Sequence, residues 1–324
     1  MPGMNSGLNI NDPTVVAAFK HALAQQGLLV ALLLGSLVLA WVGVRELTGT
    51  GTGGSAAASA GLPAEPPARR ILRIGFGVLW VLDGLLQAQP GMPVGLPAQV
   101  IQPAAAGSPA WVQHLVNWAG ASWSYHPIQA AAGAVWIQVG IGAWLLIASR
   151  GRLSRLAGLA SVGWGLVVWV FGEAFGGIFA SGLSWLTGAP GAALCYCAAG
   201  ALLALPARAW RAPRAGRLVL GGYGAFLAGM AVLQAWPGRG FWQGDLHGQP
   251  GTLAAAVQSA ASMPQPGALA GLASGFASVT RSHGFAVNLV AVAVLLGAGV
   301  AFLAGRPRAA RVALAALAVL GLAD

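Results

Sequence analysis

The stretch Arg69–Gly91 reads RRILRIGFGVLWVLDGLLQAQPG. Arg69, Arg70 and Arg73 mark one end, an apolar run of membrane-spanning length follows, and one carboxylate, Asp83, sits inside it. Helix rising 1.5 Å per residue puts Asp83 about 15 Å beyond Arg73. An ionised carboxylate at that depth is costly unless it meets a partner, a proton or an aqueous cavity. Asp83 is therefore the first residue to examine for function.

The rest of the chain has the same character. Of its 324 residues 57% are hydrophobic and 7% charged, and the mean hydropathy is +0.72. A soluble domain carries about 25% charged residues, so the expected fold class is all-α, a polytopic membrane protein with the lipid bilayer as its first partner. The formal charge of +10 comes from arginines scattered in short clusters between apolar runs. Without aromatic and basic residues interleaved on one face, that pattern excludes a nucleic-acid partner and reads as topology. Cys195 and Cys197 lie within an apolar run at a spacing that points them to nearly opposite sides of a helix, which argues against a disulfide or a two-cysteine metal site.

Taken in order, Asp12-Pro13 forms a helix start leading to a first span over Gly27–Val44. A cleaved signal peptide is the competing view, but Arg45 and Glu46 follow the apolar run directly, and the small-residue tract from Ser55 comes too late. Further spans are expected near Ile71–Gln89, Ile128–Ala148, Leu156–Phe175, Ala192–Leu205, Leu218–Ala235, Phe285–Ala304 and from Val312 onward, about eight in all. Arginines crowd alternate connections: Arg45 to Arg73, Arg150 to Arg155, Arg208 to Arg217 and Arg306 to Arg311. The other connections hold only Lys20, Arg239 and Arg281. The positive-inside rule makes the first set cytoplasmic and the amino terminus external, in the cell membrane. The outer segment Pro90–Pro127 has no charged residue but contains Trp111, Trp118 and Trp123, which suits a short helix at headgroup level.

An internal repeat orders these spans. Leu86-Gln-Ala-Gln-Pro-Gly91 returns as Leu233-Gln-Ala-Trp-Pro-Gly238, with Arg70 falling on Arg217, a displacement of 147. Arg150-x-Arg152-x-x-Arg155 returns as Arg306-x-Arg308-x-x-Arg311, displaced by 156, and His126 matches His283 within one residue. Both copies begin with a span leaving the cytoplasm, so they are parallel repeats. The organisation expected is residues 1–47 as outer terminus and first span, 48–68 as a flexible cytoplasmic linker, 69–206 as a four-helix repeat with a long outer loop, and 207–324 as a second, truncated repeat. The second copy stops before any equivalent of Glu173, so a longer protein, or a last helix that ends early, is expected.

The first copy carries the candidate site. Trp80, Asp83 and Gln87 share a helical face; His126 and Gln129 sit at the outer end of the next span; Trp169 and Glu173 sit near the outer end of the one after. Asp83, His126 and Glu173 are the candidate proton-handling groups, and Trp80, Gln87, Gln129 and Trp169 the candidate cofactor-binding ones. The competing structural reading makes Asp83 a carboxylate tied to a tryptophan N–H or a glutamine, Glu173 an interfacial acid and His126 a cap. Asp83 falls on Met230 in the second copy, so one bundle carries the acid alone. No His-x-x-x-His or Glu-x-x-His spacing places two metal ligands on one face, so no metal is expected.

Leu72-Arg-Ile-Gly-Phe-Gly77 with Asp83-Gly-Leu-Leu-Gln87, continuing through Gln138-Val-Gly-Ile-Gly-Ala-Trp-Leu-Leu146 and Arg152-Leu-Ser-Arg155-Leu-Ala-Gly158, resembles the DoxX/DoxD-like membrane proteins. The resemblance implies a four-helix membrane unit, and some relatives are subunits of thiosulfate:quinone oxidoreductase. Three functional expectations follow. One is a redox-associated subunit with an outward pocket for a quinone or a small periplasmic reductant. The second is a small-solute or proton-coupled transporter, and the third a noncatalytic scaffold among other subunits of a membrane complex.

Overall fold

Long apolar runs punctuated by Gly and Pro fold as helices where water is scarce, because a helix satisfies its backbone N–H and C=O groups within its own segment. The computed structural model describes residues 12–47, 65–180, 188–246, 249–261 and 267–323. Its helices are α1 (Pro13–Leu47), α2 (Pro67–Gln87), α3 (Ala110–Tyr125), α4 (Pro127–Ile147), α5 (Gly151–Val167), α6 (Ala192–Ala204), α7 (Pro213–Ala235), α8 (Thr252–Ala261), α9 (Gly267–Leu303) and α10 (Pro307–Ala323). The only strands among the described residues, β1 (Asp245–Leu246) and β2 (Gln249–Pro250), form an antiparallel pair. Five helices open on proline, which needs no N–H partner in the first turn. Asp12 caps α1, accepting from the Thr14 N–H (2.8 Å) and hydroxyl (2.7 Å).

Among the described residues five segments are long and apolar enough to cross a membrane: Pro13–Ala40, Pro127–Ile147, Gly151–Gly172, Gly216–Ala235 and Ala270–Leu303. A sixth counts if α2 and Met92–Ala104, bent by 91° from it, form one span. The difference from eight has a physical cause. With 13 residues α6 rises about 20 Å against a hydrocarbon core of about 30 Å, and α10 has only 17. Most of the linker expected at 48–68 lies outside the described residues, but its last part is helical from Pro67 and includes a buried Glu65.

The chain divides into two compact units. The first comprises Met1–Ala104, Gln113–Gly172 and Cys195–Ala207. In it α2 and α4 run antiparallel so closely that a Cβ on Gly142 would lie 2.6 Å from the Gly77 carbonyl oxygen and 2.8 Å from the Val81 nitrogen. On α5 and α6, Gly158 and Gly200 meet in the same manner. Around these contacts Phe76, Trp80, Ile141, Leu145, Ala157 and Leu203 form the core. The start of α1 packs Phe19 and Ala22 on Ala131 and Ala132 of α4. Beyond Gly27, whose Cβ position is filled by the Trp136 ring, the leucines of α1 from Leu28 to Leu39 are exposed.

One end of this unit is closed by charge. Arg73 donates from Nε (3.0 Å) and Nη2 (3.1 Å) to the Glu65 carboxylate and from Nη1 to the carbonyls of Leu145 (2.7 Å) and Leu146 (2.9 Å). Arg69 donates from Nη1 to Glu65 (2.7 Å) and the Ser149 carbonyl (3.1 Å), and from Nη2 to the Ser154 hydroxyl (2.8 Å) and the Leu203 carbonyl (3.0 Å). The terminal carbonyls of α4 and α6, which have no intrahelical partner, are thereby satisfied by cations at the negative ends of the helix dipoles.

The second unit comprises Ala105–Val112, Glu173–Leu194 and Arg208–Asp324. Here α7 and α9 cross at Gly224 and Gly299, each within 3 Å of the other's carbonyl oxygen if given a Cβ. Leu227, Met230, Ala231, Leu295, Ala298, Phe302 and Ala313 make up its main core, with a smaller cluster around Phe241 and Leu253. Helix α9 has one non-helical residue, His283 (φ −132°, ψ 36°).

These contacts predict two outcomes in thermal unfolding of the purified protein. Gly142→Ala, forced against backbone atoms, loses about 1–3 kcal/mol, whereas Gly140→Ala, with nothing within 4 Å of its Cβ position, is neutral within about 0.5 kcal/mol or slightly stabilising. Glu65→Ala leaves two buried guanidinium groups uncompensated and costs about 3–5 kcal/mol.

Candidate functional site

Depth within the first unit is set by two registers. Trp80 Nε1 donates to the Ser161 hydroxyl at 2.9 Å, which levels α2 with α5, two helices running in the same direction. A Cβ on Gly84 would meet the Val135 carbonyl and the Val139 nitrogen, which levels α2 with the antiparallel α4. One turn beyond the Trp80–Ser161 bond, away from the arginine end, Asp83 on α2, Gln138 on α4 and Trp164 on α5 therefore stand at one depth.

These three share an electrostatic peculiarity. Gln138 is buried and its Oε1 has no hydrogen-bond partner; Trp164 Nε1 is likewise buried without one. Asp83 is half-buried, and no described residue donates to it or pairs with it. The layer thus offers a donor, an acceptor and a carboxylate, on a floor of Trp80, Phe76 and Tyr196 whose rings meet edge to face at 4.8–6.0 Å between centroids. Gln138, Ser161 and Trp164 were missed as site residues in the sequence.

The other candidates stand elsewhere. Trp80 is buried and engaged with Ser161, and Gln87 is half-buried one turn past Asp83. His126 is the exposed N-cap of α4 (φ −139°, ψ 60°), without a side-chain capping bond, about 13 Å of helix beyond Val135. That distance separates it from the Asp83 layer. Gln129 is exposed, and its carbonyl accepts from Gln26 Nε2 at 3.3 Å. Near this end a cavity of about 20 Å³, bordered by Pro93, Gln102, Ser124 and Pro127, is sized for a single water. Trp169 is half-buried in the π-helical turn Val168–Gly172.

Glu173 belongs to the second unit, just past the span Gly151–Gly172. Ala174 (φ 47°) and Phe175 (φ 61°) are left-handed and turn the chain back, so that both Glu173 oxygens accept the Ala193 N–H at 3.1 Å. The acid caps the start of α6, where a negative charge opposes the helix dipole favourably. Burial nevertheless holds its carboxyl above the ordinary glutamate range, opposed by the amides of Ala193 and Ala192. Trp111 packs edge-on against Phe179 and tilted against Phe175 in the same unit, so this tryptophan anchors the turn.

No group of three or more His, Cys, Asp or Glu that would hold a metal occurs among the described residues. The chain matches no family model, no curated protein and no solved structure in the comparisons.

The capping role of Glu173 predicts a pH-dependent contrast in thermal unfolding. A carboxyl whose folded pKa is raised contributes most where it is protonated, and that contribution is lost as pH rises through the folded value. Glu173→Gln, which keeps an acceptor oxygen, should match the wild type near pH ~4 and equal or exceed it near pH ~8. Glu173→Ala, lacking any acceptor, should lose about 1 kcal/mol at both.

Proposed function

We propose that this chain is an integral membrane, redox-associated subunit whose first unit binds a quinone or a small periplasmic reductant at the layer of Asp83, Gln138 and Trp164. The observation that carries the reading is that two buried polar atoms and a carboxylate, at one depth of a helical bundle, lack partners. Each unsatisfied buried group costs about 1–3 kcal/mol, and a quinone ring supplies what all three need. The Trp164 N–H would donate to a quinone carbonyl, Gln138 Oε1 or Asp83 would accept from a quinol hydroxyl, and the rings of Trp80, Phe76 and Tyr196 would flank the bound ring. Reduction of a quinone takes two electrons and two protons; the electrons would come from the small reductant or a partner subunit, and Asp83 would carry one of the protons. His126 and Gln129 serve the outer rim.

The topology belonging to this reading has the amino terminus outside the cell membrane and two parallel repeats, as in DoxX/DoxD-like proteins. Support for the repeat comes from equivalent contacts: Gly77 with Gly142 recurs as Gly224 with Gly299, and the kink residue His283 answers the cap residue His126. The orientation rests on the arginine-rich alternate connections, and the antiparallel course of α2 and α4 agrees with it. A scaffold role within a larger membrane complex is the second reading, favoured by the exposed leucines of α1 beyond Gly27.

The test is photolabelling of the purified chain with an azido-quinone. Labelling should map to α2, α4 or α5, compete with unmodified quinone, and fall about tenfold or more in Asp83→Asn and Trp164→Phe, the loss expected for one hydrogen bond to a charged or buried group. Labelling confined to the lipid-facing surface, or undiminished in both variants, rejects the quinone site. Copurifying subunits together with undiminished labelling would select the scaffold.

A further inference from the structure

A second cavity lies at the arginine end of the first unit, about 310 Å³ in volume, bordered by Glu65, Arg69, Arg150, Arg152, Arg155 and Leu205 among others. Four arginines against one glutamate give its lining a net charge of +3. The glutamate does not reduce that by reaching across, since both its oxygens are engaged by Arg69 and Arg73. Arg155 is anchored through Nε to the Ala204 carbonyl at 2.9 Å, which leaves its terminal nitrogens outside that bond. Arg150 and Arg152 are exposed, and among the described residues no hydrogen bond or ion pair engages either side chain.

Three observations make this more than a charged rim. Helix α5 starts here, at Gly151, with no side-chain cap and no acid in its first turn. Its first turns instead carry Arg152 and Arg155, so like charge is gathered at the positive end of the dipole, an arrangement that is unfavourable until an anion joins it. Arg69, only 4% exposed, borders the cavity and has a buried Nε–H without a hydrogen-bond partner. Apolar side chains flank the cavity as well, with Leu205 in its wall and Ile147 and Leu153 strongly exposed on either side of the connection.

We infer that this cavity binds the phosphate group of an anionic phospholipid, with the arginines and the α5 amides holding the phosphate and the flanking apolar side chains meeting the acyl chains. The shared chemistry is that of a phosphate anion; guanidinium forks match its oxygens in pairs. The lipid source follows from position, because the cavity sits where apolar helices end and basic pockets between such helices recruit acidic headgroups. The site needs only the membrane-embedded character of the helices and is independent of the quinone reading, which concerns a different layer of the unit.

The experiment is native mass spectrometry of the full chain in neutral detergent, titrated separately with phosphatidylglycerol, phosphatidylcholine and inorganic phosphate. Phosphatidylglycerol should bind about tenfold or more tightly than phosphatidylcholine, and Arg150→Gln/Arg152→Gln should lose about that factor. Arg150→Lys/Arg152→Lys, which keeps both charges but not the paired guanidinium bonds, should bind phosphatidylglycerol more tightly than the glutamine variant and more weakly than the wild type. Arg306→Gln/Arg308→Gln removes two exposed arginines of the same R-x-R-x-x-R pattern elsewhere in the chain and should leave binding unchanged. Equal binding of the two lipids, or an equal loss in the two glutamine variants, overturns the inference. Inorganic phosphate binding as tightly as phosphatidylglycerol overturns the lipid source and assigns the cavity to a soluble phosphate.

Discussion

Two guanidinium groups buried against one carboxylate hold the first unit together at one end. Glu65 accepts from Arg69 and Arg73, and the same two arginines reach the final carbonyls of α4 and α6 and the hydroxyl at the start of α5. Among the described residues these three side chains tie α2, α4, α5 and α6 together. A buried ion pair of this kind adds little net stability against an apolar replacement, because desolvation offsets the Coulomb attraction. What it does add is register, since the terminal nitrogens of the two planar forks are committed to Glu65 and to particular helix ends.

Once that end is fixed, the rest of the unit follows from close backbone approach. Gly77, Gly84 and Gly142 bring α2 onto α4, and Gly158 and Gly200 bring α5 onto α6, so no helix can slide without a side chain entering backbone. The Trp80–Ser161 bond then levels the two pairs. One turn beyond it lies the layer of Asp83, Gln138 and Trp164, set into otherwise apolar packing. A rigid frame on the arginine side and unsatisfied donors and acceptors one turn away is the arrangement that a preorganised binding layer requires.

Much of this was legible in the sequence. Helix starts were marked by proline, the apolar spans by length, and Asp83 by being the lone acid in its run. The arginines were legible only as topology. Yet Glu65, Arg69 and Arg73 are spaced by four, the spacing of ion pairs on one helical face; the double proline at Pro66-Pro67 disguised the first of them as linker. Gln138 and Trp164 were not legible as a site, because an amide or an indole in an apolar run says nothing about its partners until neighbouring helices are aligned. His126 lies a length of α4 away from the Asp83 layer, and Glu173 belongs to the other unit, where it caps α6. Sequence distance from a span end does not convey depth when one residue caps α4 and the other folds back, through a left-handed turn, onto α6.

The second unit supplies the comparison that gives the polar layer its meaning. Where α2 has Gln87, α7 has Gln234, fully buried, and its Nε2 donates to Asn288 Oδ1 at 2.7 Å while Asn288 Nδ2 returns to the Gln234 carbonyl. Where α2 has Asp83, α7 has Met230, packed in the core. Glu65, Arg69 and Arg73 fall on Ala212, Gly216 and Leu220, so the charged closure is absent there as well. The same helical pairing is therefore compatible with buried polar groups that satisfy one another and with an apolar side chain in place of the acid. At the positions compared, the second unit has a mutually bonded Gln234–Asn288 pair and an apolar Met230 where the first has a carboxylate without a partner. A cost of several such groups at one depth is consistent with interactions that a ligand completes, rather than with a need of the fold itself.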